Sequence, residues 1–468
     1  MIILALAGNR NTDGSFNNRT SNANIWSSSE NGASAAWNRN LNSGNPTVNR
    51  NTNAKANGFS VRCLKDSQKM KPCNYARKGV FTTKKMPSKL LEDLFQAYFD
   101  ARKHKRKTAS AIKFELNFEA EIFRLRDEIQ NRKYEISPSI CFISFYPVKR
   151  EIFAGDFRDR IVHHLIFNYL NPFCERIFLS DSFSCRAGKG TSYGVKRANH
   201  FIRSCSENYK KDCYILKLDI SGYFMSIDKN VLFEKIKKTL KKFESKIDFD
   251  YALIIWLIRK VIFNDPTRNC VVKGKRKDWI GLPKSKSLFF SKKDRGLPIG
   301  NLTSQLFANL YLNDFDHFVR YKLGCKYYGR YVDDLLFIHR DKNFLASLFA
   351  ILDEYLRDNL YLRLHSRKIY LQHFTKGVKF LGTIIKPYRI YIGNRTKNNF
   401  YQNLDAWNKK ITLAKNIDPQ DVKKFISSSN SYLGIMKHYD TFKLRKKIIG
   451  ETRGGGVLIG LPPRIMRN

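Results

Sequence analysis

Acid is scarce in this chain relative to base. Asp and Glu number 41 against 85 Lys and Arg, leaving a formal charge of +44 over 468 residues. A surplus far beyond the needs of solubility points to a polyanionic partner, of which nucleic acid is the commonest. Paired cysteines are also missing. The nine cysteines, at 63, 73, 141, 174, 185, 205, 213, 270 and 325, are scattered and never spaced C-x-x-C. That argues against a disulfide framework and a zinc site, and for a reducing cytoplasm. Residues 1–7 are apolar but too short to span a bilayer and lack a basic flank. No basic amphipathic helix stands apart from the rest, so no membrane partner is expected. A phosphate-cradling G-x-x-x-x-G-K-[ST] loop is absent: residues 187–192, Ala-Gly-Lys-Gly-Thr-Ser, have the right letters in the wrong order and read as a glycine-rich turn. His163-His164 lacks a third metal ligand nearby.

What is present starts from Tyr331-Val332-Asp333-Asp334, between the apolar runs 325–328 and 335–338. Two strands joined by a tight connection would carry both carboxylates at the tip of a hairpin. Nucleotide polymerisation uses two hard divalent ions held by carboxylate oxygens, so a third acid is expected upstream on a neighbouring strand. Residues 214–220, Tyr-Ile-Leu-Lys-Leu-Asp-Ile, supply it. Tyr214, Leu216 and Leu218 alternate to one face, and Asp219 falls on the other with Ile215 and Lys217.

Asp219-Ile220-Ser221-Gly222-Tyr223-Phe224, then residues 296–305 (Gly-Leu-Pro-Ile-Gly-Asn-Leu-Thr-Ser-Gln), then the Tyr-x-Asp-Asp, resemble the ordered motifs of reverse transcriptases. Ile299-Gly300 and Ser304-Gln305, where most such enzymes read Gln-Gly and Ser-Pro, resemble those of diversity-generating retroelements. Residues 282–289, 150–154 and 157–164 are similar to that family too, and the resemblance covers about residues 88–450. It implies an α+β right-hand polymerase of fingers, palm and thumb with an antiparallel palm sheet. The implied activity is error-prone copying of a template-repeat RNA into cDNA from dNTPs, with mutations at adenines. Two Mg2+ ions, for which Mn2+ can substitute, would be held by Asp219, Asp333 and Asp334, with Ile220 counted among the ligands. The resemblance also implies a small, basic accessory protein that assembles as a barrel.

Further roles follow from the same likeness. Lys149, Arg150 and Arg158 are candidates to clamp the triphosphate, because cations neutralise charge developing on phosphates. Phe224 matches a gate excluding a ribose 2′-hydroxyl, and Ile299, Gly300, Ser304 and Gln305 would face the nascent pair. Tyr331 would sit beside the primer end. Lys368 matches a lysine that protonates pyrophosphate, with a salt-bridged surface lysine as the alternative. Gly377, Lys379, Phe380 and Gly382 resemble the primer grip. Residues 90–107 and 114–132 read as helices, residues 140–146 as a strand, 231–262 as helices, and 264–294 as a polar basic connection that can touch the template. Leu306, Phe307, Leu310, Phe315 and Phe318 have helical spacing, with Thr303 or Ser304 as cap.

Residues 1–66 differ in kind: rich in Asn, Ser and Gly, with too few recurring apolar positions for a core. They read as a segment without regular structure, similar to a translated template repeat of a C-type-lectin-like variable protein, with Met70 or Met86 as alternative starts. Residues 67–384 would be fingers and palm, and 385–468 thumb and basic tail. Two alternatives stay open: a retron or group II intron type of reverse transcriptase, and a nucleic-acid-binding protein that kept the fold without polymerising.

Overall fold

The computed structural model describes residues 9–10, 15–17, 22–30, 32–42, 45–57, 89–103, 108–145, 148–413 and 418–451. The chain divides into two units, residues 1–84 and 85–468. In the first, β1 (Asn22–Glu30), β2 (Ala35–Asn42) and β3 (Asn45–Ala54) form an antiparallel sheet in that order. Composition predicts no regular structure here, and the difference has a physical source. Asparagine amides pair across the strands, Asn40 Nδ2 donating to Asn24 Oδ1 at 2.6 Å and Asn53 Nδ2 to Asn38 Oδ1 at 3.4 Å. Counting apolar positions misses a sheet face on which polar groups satisfy one another. The expected boundary near residue 66 and both alternative starts lie outside the described residues.

The second unit opens with three helices, α1 (Lys89–Arg102), α2 (Ala109–Glu115) and α3 (Phe118–Gln130). The single helix expected over 114–132 is two, because the helix that Thr108 caps ends at Leu116 and Asn117 starts the next. A hairpin of β4 (Ser139–Ser144) and β5 (Arg150–Ala154) leads into α4 (Phe157–Ile177), capped by Asp156. After α5 (Thr191–Cys205) come β6 (Tyr214–Asp219), α6 (Tyr223–Ser226), α7 (Lys229–Lys242) and α8 (Tyr251–Phe263). The connection expected to be polar and basic contains β7 (Cys270–Val272), which pairs in parallel with β4. Then follow α9 (Leu302–Tyr311), α10 (Asn313–His317), β8 (Tyr327–Tyr331), β9 (Asp334–His339), α11 (Lys342–Leu360) and β10 (Tyr370–His373). Three short strands, β11 (Val378–Phe380), β12 (Thr383–Lys386) and β13 (Arg389–Ile392), precede α12 (Asn394–Leu413), α13 (Pro419–Lys437) and α14 (Phe442–Glu451).

The central sheet runs β8-β9-β6-β10 and is antiparallel throughout. Its alternation is the one read from the sequence. Leu216, Leu218, Leu335 and Phe337 enter the larger core, which also takes residues from α4, α7, α9 and α11. Ile215, Leu336 and Ile338 enter a second core with Val195 and Phe201 of α5 and Val378, Phe380 and Ile385 of the following sheet. Covered on both faces, the sheet buries side chains of each kind, which at roughly 25 cal/mol per Å² of apolar surface is the main stabilising term.

One charge pair lies inside this core. Arg330 on β8 and Asp316 on α10 are both 0% exposed. The guanidinium grips the carboxylate with two bonds, Nε to Oδ1 at 2.8 Å and Nη2 to Oδ2 at 2.6 Å, and Tyr328 donates to Oδ1 at 2.7 Å. Breaking such a pair from one side leaves a buried charge alone. Asp316→Leu should therefore lower stability by about 3–5 kcal/mol, read from the midpoint of chemical denaturation. Asp316→Leu combined with Arg330→Met should lose much less.

Candidate active site

The register sets the site. Asp334 on β9 lies directly opposite Asp219 on β6, and Asp333 precedes it in the two-residue turn that joins β8 to β9. Val332, the first residue of that turn, has φ +56°, a conformation that costs a β-branched residue about 1–3 kcal/mol. Its backbone is held at both ends: Arg330 Nη1 donates to its carbonyl at 3.1 Å, and its N–H donates to Ser184 Oγ at 3.2 Å. The Ile220 N–H donates to the Asp333 carbonyl at 3.1 Å, locking turn to strand. Burial, then the neighbouring Asp219 and Asp334 carboxylates, push the Asp333 carboxyl up to about 6.

Two ammonium groups answer that charge. Lys368 Nζ bonds Asp219 Oδ1 at 2.9 Å, and Lys217 Nζ lies 3.0 Å from Asp334 Oδ1. That contact is the salt bridge given above as the alternative for Lys368. Among the described residues no three Asp, Glu, His or Cys side chains close into a finished metal site. The donor chemistry nevertheless suits hard divalent cations, since acidic oxygens crowd at adjacent strand ends and their mutual repulsion is what a cation relieves.

Beside the acids is an apolar wall. Phe224 and Ile299 pack against the same cluster of Cys141, Phe153, Met225 and Leu288. Phe153 N–H donates to the Ile299 carbonyl at 2.8 Å, and Leu297 N–H to the Phe224 carbonyl at 2.8 Å, so strand β5 and the turn after β6 clamp the 297–300 segment. Gly300 has φ +130°, and a Cβ there would meet the Phe153 carbonyl oxygen at 2.7 Å. Gln305 is exposed on the first turns of α9, while Ser304 is buried. Neither Thr303 nor Ser304 caps α9, as the spacing suggested: the cap position is Asn301, and Thr303 Oγ1 pairs at 2.8 Å with Nδ1 of buried His163. Burial pushes that imidazole down to about 3, so it is neutral. His163 is thus a support for the 301–304 turn.

The three basic candidates separate. Lys149 is half-buried and donates to the Ile280 carbonyl at 2.7 Å, and Arg150 is exposed close enough to Tyr331 to act electrostatically on its hydroxyl. Arg158 is spent inside the protein, on Glu128, on the Glu135 carbonyl at 2.9 Å and over the Tyr134 ring. Its guanidinium is not brought to the acids. Tyr331 is half-buried at the end of β8. In the grip-like segment Lys379 is exposed, and Phe380 is buried in the second core. Gly377 and Gly382 both have positive φ, as tight turns around β11 require. Residues 187–190 form the expected turn, with Lys189 bonded to the Ser180 carbonyl, and Thr191 and Ser192 open α5.

Glu151 escaped sequence reading. It is 1% exposed and accepts from Trp279 Nε1 at 2.8 Å, Ser287 Oγ at 2.8 Å and the Leu288 N–H at 2.7 Å, tying the 279–288 connection to β5. The available signal was the period of two, which puts Glu151 on the same face of β5 as the apolar Phe153.

Gly300→Ala should lower stability by about 1–3 kcal/mol, the cost of a strained backbone position, in a thermal melt. Gly434→Ala, inside α13 with open space around it, should raise it by about 0.5–1 kcal/mol.

A family model described as reverse transcriptase (RNA-dependent DNA polymerase) matches residues 150–385. The chain is 22% identical over 294 residues to protein YkfC of Escherichia coli (strain K12), covering 55% of this chain and 69% of that one. Among solved structures, telomerase from Candida albicans in complex with a fragment of telomeric RNA aligns at 13% identity and a TM-score of 0.39, over 73% of this chain and 60% of that one. A Candida tropicalis telomerase in the same kind of complex aligns at 12% identity and a TM-score of 0.40, over 70% and 58%. The chain therefore spans about 60% of those telomerase chains.

Proposed function

The chain belongs to the reverse transcriptase (RNA-dependent DNA polymerase) family, and from that premise we propose that it is the polymerase of a diversity-generating retroelement. The general activity is RNA-directed DNA synthesis by a right-hand polymerase. The observation that carries the assignment of the chemistry is the register of Asp219 against Asp334, with Asp333 at the adjoining turn. In this proposal Asp219, Asp333 and Asp334, with the carbonyl of Ile220, hold two divalent cations, typically Mg2+. Such a pair, when bound, activates the primer hydroxyl and neutralises the triphosphate and its leaving group. With ions held there, Lys368 and Lys217 would be free of the carboxylates they now pair with, and Lys368 would protonate the departing pyrophosphate. Lys149 and Arg150 meet the triphosphate, and Phe224 closes the sugar pocket.

The retroelement assignment rests on Ile299 and Gln305. Ile299 presents only apolar surface where an amide would hydrogen-bond the incoming nucleotide, and its packing with Phe224 supports a dry pocket wall. The proposed partners are template RNA, cDNA, dNTPs and a small basic accessory protein. Two cationic proteins would be bridged by RNA, and their complex should weaken steeply with salt. Residues 1–66 take no part in this chemistry.

Asp333→Asn should cut template-directed synthesis by about 3 kcal/mol or more of transition-state stabilisation, roughly a hundredfold, with RNA binding kept. Primer extension beside an RNA gel shift reads both, and near-normal synthesis would remove Asp333 from the site. Ile299→Gln should lower misincorporation opposite template adenine more than opposite other bases. A restored hydrogen bond worth about 0.5–1.5 kcal/mol favours the well-formed pair several-fold. Extension on a defined RNA with one nucleotide withheld measures this, and an unaltered error spectrum excludes Ile299 as its source.

A further inference from the structure

Across the turn that follows Asp219, the 284–295 segment lies against residues 222–229 and encloses a second cleft. The two segments are joined by backbone bonds, Gly296 N–H to the Ile227 carbonyl at 2.8 Å and Lys229 N–H to the Asp294 carbonyl at 2.9 Å. Contact is close: a Cβ on Gly222 would meet the Ser285 carbonyl oxygen at 2.8 Å. The cleft, about 140 Å³, is lined by Ser226, Lys284, Ser285, Ser291, Lys292 and Arg295, with Met225 and Phe290 completing it. Three cations and three hydroxyls with no acid in the lining suit a phosphate. Asp228, 3.7 Å from Arg295, is already engaged in capping α7. The Ser291 hydroxyl is shielded from solvent and has no hydrogen-bond partner among the described residues, a donor left over for a ligand.

Phe290 narrows the ligand. Its ring is 59% exposed at the cleft, with the Lys284 ammonium 5.4 Å from its centroid. An exposed ring beside a cation-lined pocket is how proteins hold single-stranded nucleic acid, bases on aromatics and backbone on cations. Glu151 makes the arrangement rigid in advance, because its three accepted bonds pin residues 279, 287 and 288. We propose that this cleft is a phosphodiester subsite for a single-stranded stretch of RNA, one phosphate held by Lys284, Lys292, Arg295 and Ser291, with a neighbouring base on Phe290. The proposal rests on the reading of the chain as an RNA-copying enzyme and adds a contact outside its catalytic acids.

The test uses the full chain and a labelled single-stranded oligoribonucleotide, with affinity measured across a salt series and primer extension measured in parallel. Lys284→Ala with Lys292→Ala should flatten the slope of log affinity against log salt by about 0.7, the value for one phosphate contact on a single strand. Lys284→Arg with Lys292→Arg should restore it. Phe290→Ala should weaken binding about fivefold or more at every salt concentration and leave the slope unchanged. Both lysines and the ring are exposed, so melting midpoints equal to the parent chain's are expected. A parental slope in the alanine pair together with parental affinity in Phe290→Ala overturns the subsite. So does a raised KM for dNTP with unaltered RNA binding, which would give the cleft to the nucleotide's own phosphates. If the parent chain binds RNA through the cleft but extends no primer, the polymerase reading fails and the subsite stands.

Discussion

The buried pair of Arg330 and Asp316 is the constraint on which the acidic turn depends. Burial alone would depress the guanidinium's pKa, and the adjoining Asp316 carboxylate outweighs this and holds it above its ordinary value. From that anchor the same guanidinium reaches the Val332 carbonyl and, at 3.3 and 3.2 Å, Asn309 and Ser182. Helix α9, the 182–184 segment and the hairpin are thus joined at one charged plane. A left-handed valine in the turn just before two carboxylates would relax if left to itself. A fully satisfied buried network keeps it strained, and this is the form in which a buried ion pair specifies geometry even where it adds little net stability.

Much of this was legible from local pattern. The hairpin strands were expected at 325–328 and 335–338 and run Tyr327–Tyr331 and Asp334–His339, because alternation identifies a strand's middle better than its ends. Asp219 fell on the expected face since the period of two leaves no choice once Leu216 and Leu218 are buried. What stayed hidden is long-range. Nothing near Glu151 announces that it will accept bonds from residues 279, 287 and 288, and nothing near Arg158 announces Glu128. Strand β7 is three residues long in a lysine-rich stretch, and only its partner β4 makes it a strand. The asparagine-rich sheet failed expectation for the opposite reason: its contacts are regular but are not hydrophobic.

The apolar wall and the basic 284–295 segment share one support. Met225 and Leu288 pack in the cluster that holds Phe224 and Ile299, while their sequence neighbours Ser226 and the 284–285 pair line the second cleft. A change in the packing of residue 225 or 288 is therefore felt on both sides, since close-packed interiors transmit displacement instead of absorbing it.

The strand order β8-β9-β6-β10 also has a consequence in time. Strand β6 is flanked on both sides by strands that follow it in the chain, the first of them beginning at Asp334. At ribosomal rates of roughly 5–20 residues per second, that partner emerges about 6–23 s after Asp219. Through that interval the nascent polypeptide carries an apolar strand with two open edges, and its acids have no partners to meet. The acids at Asp219, Asp333 and Asp334 are thus not brought together until the chain has been translated past Asp334.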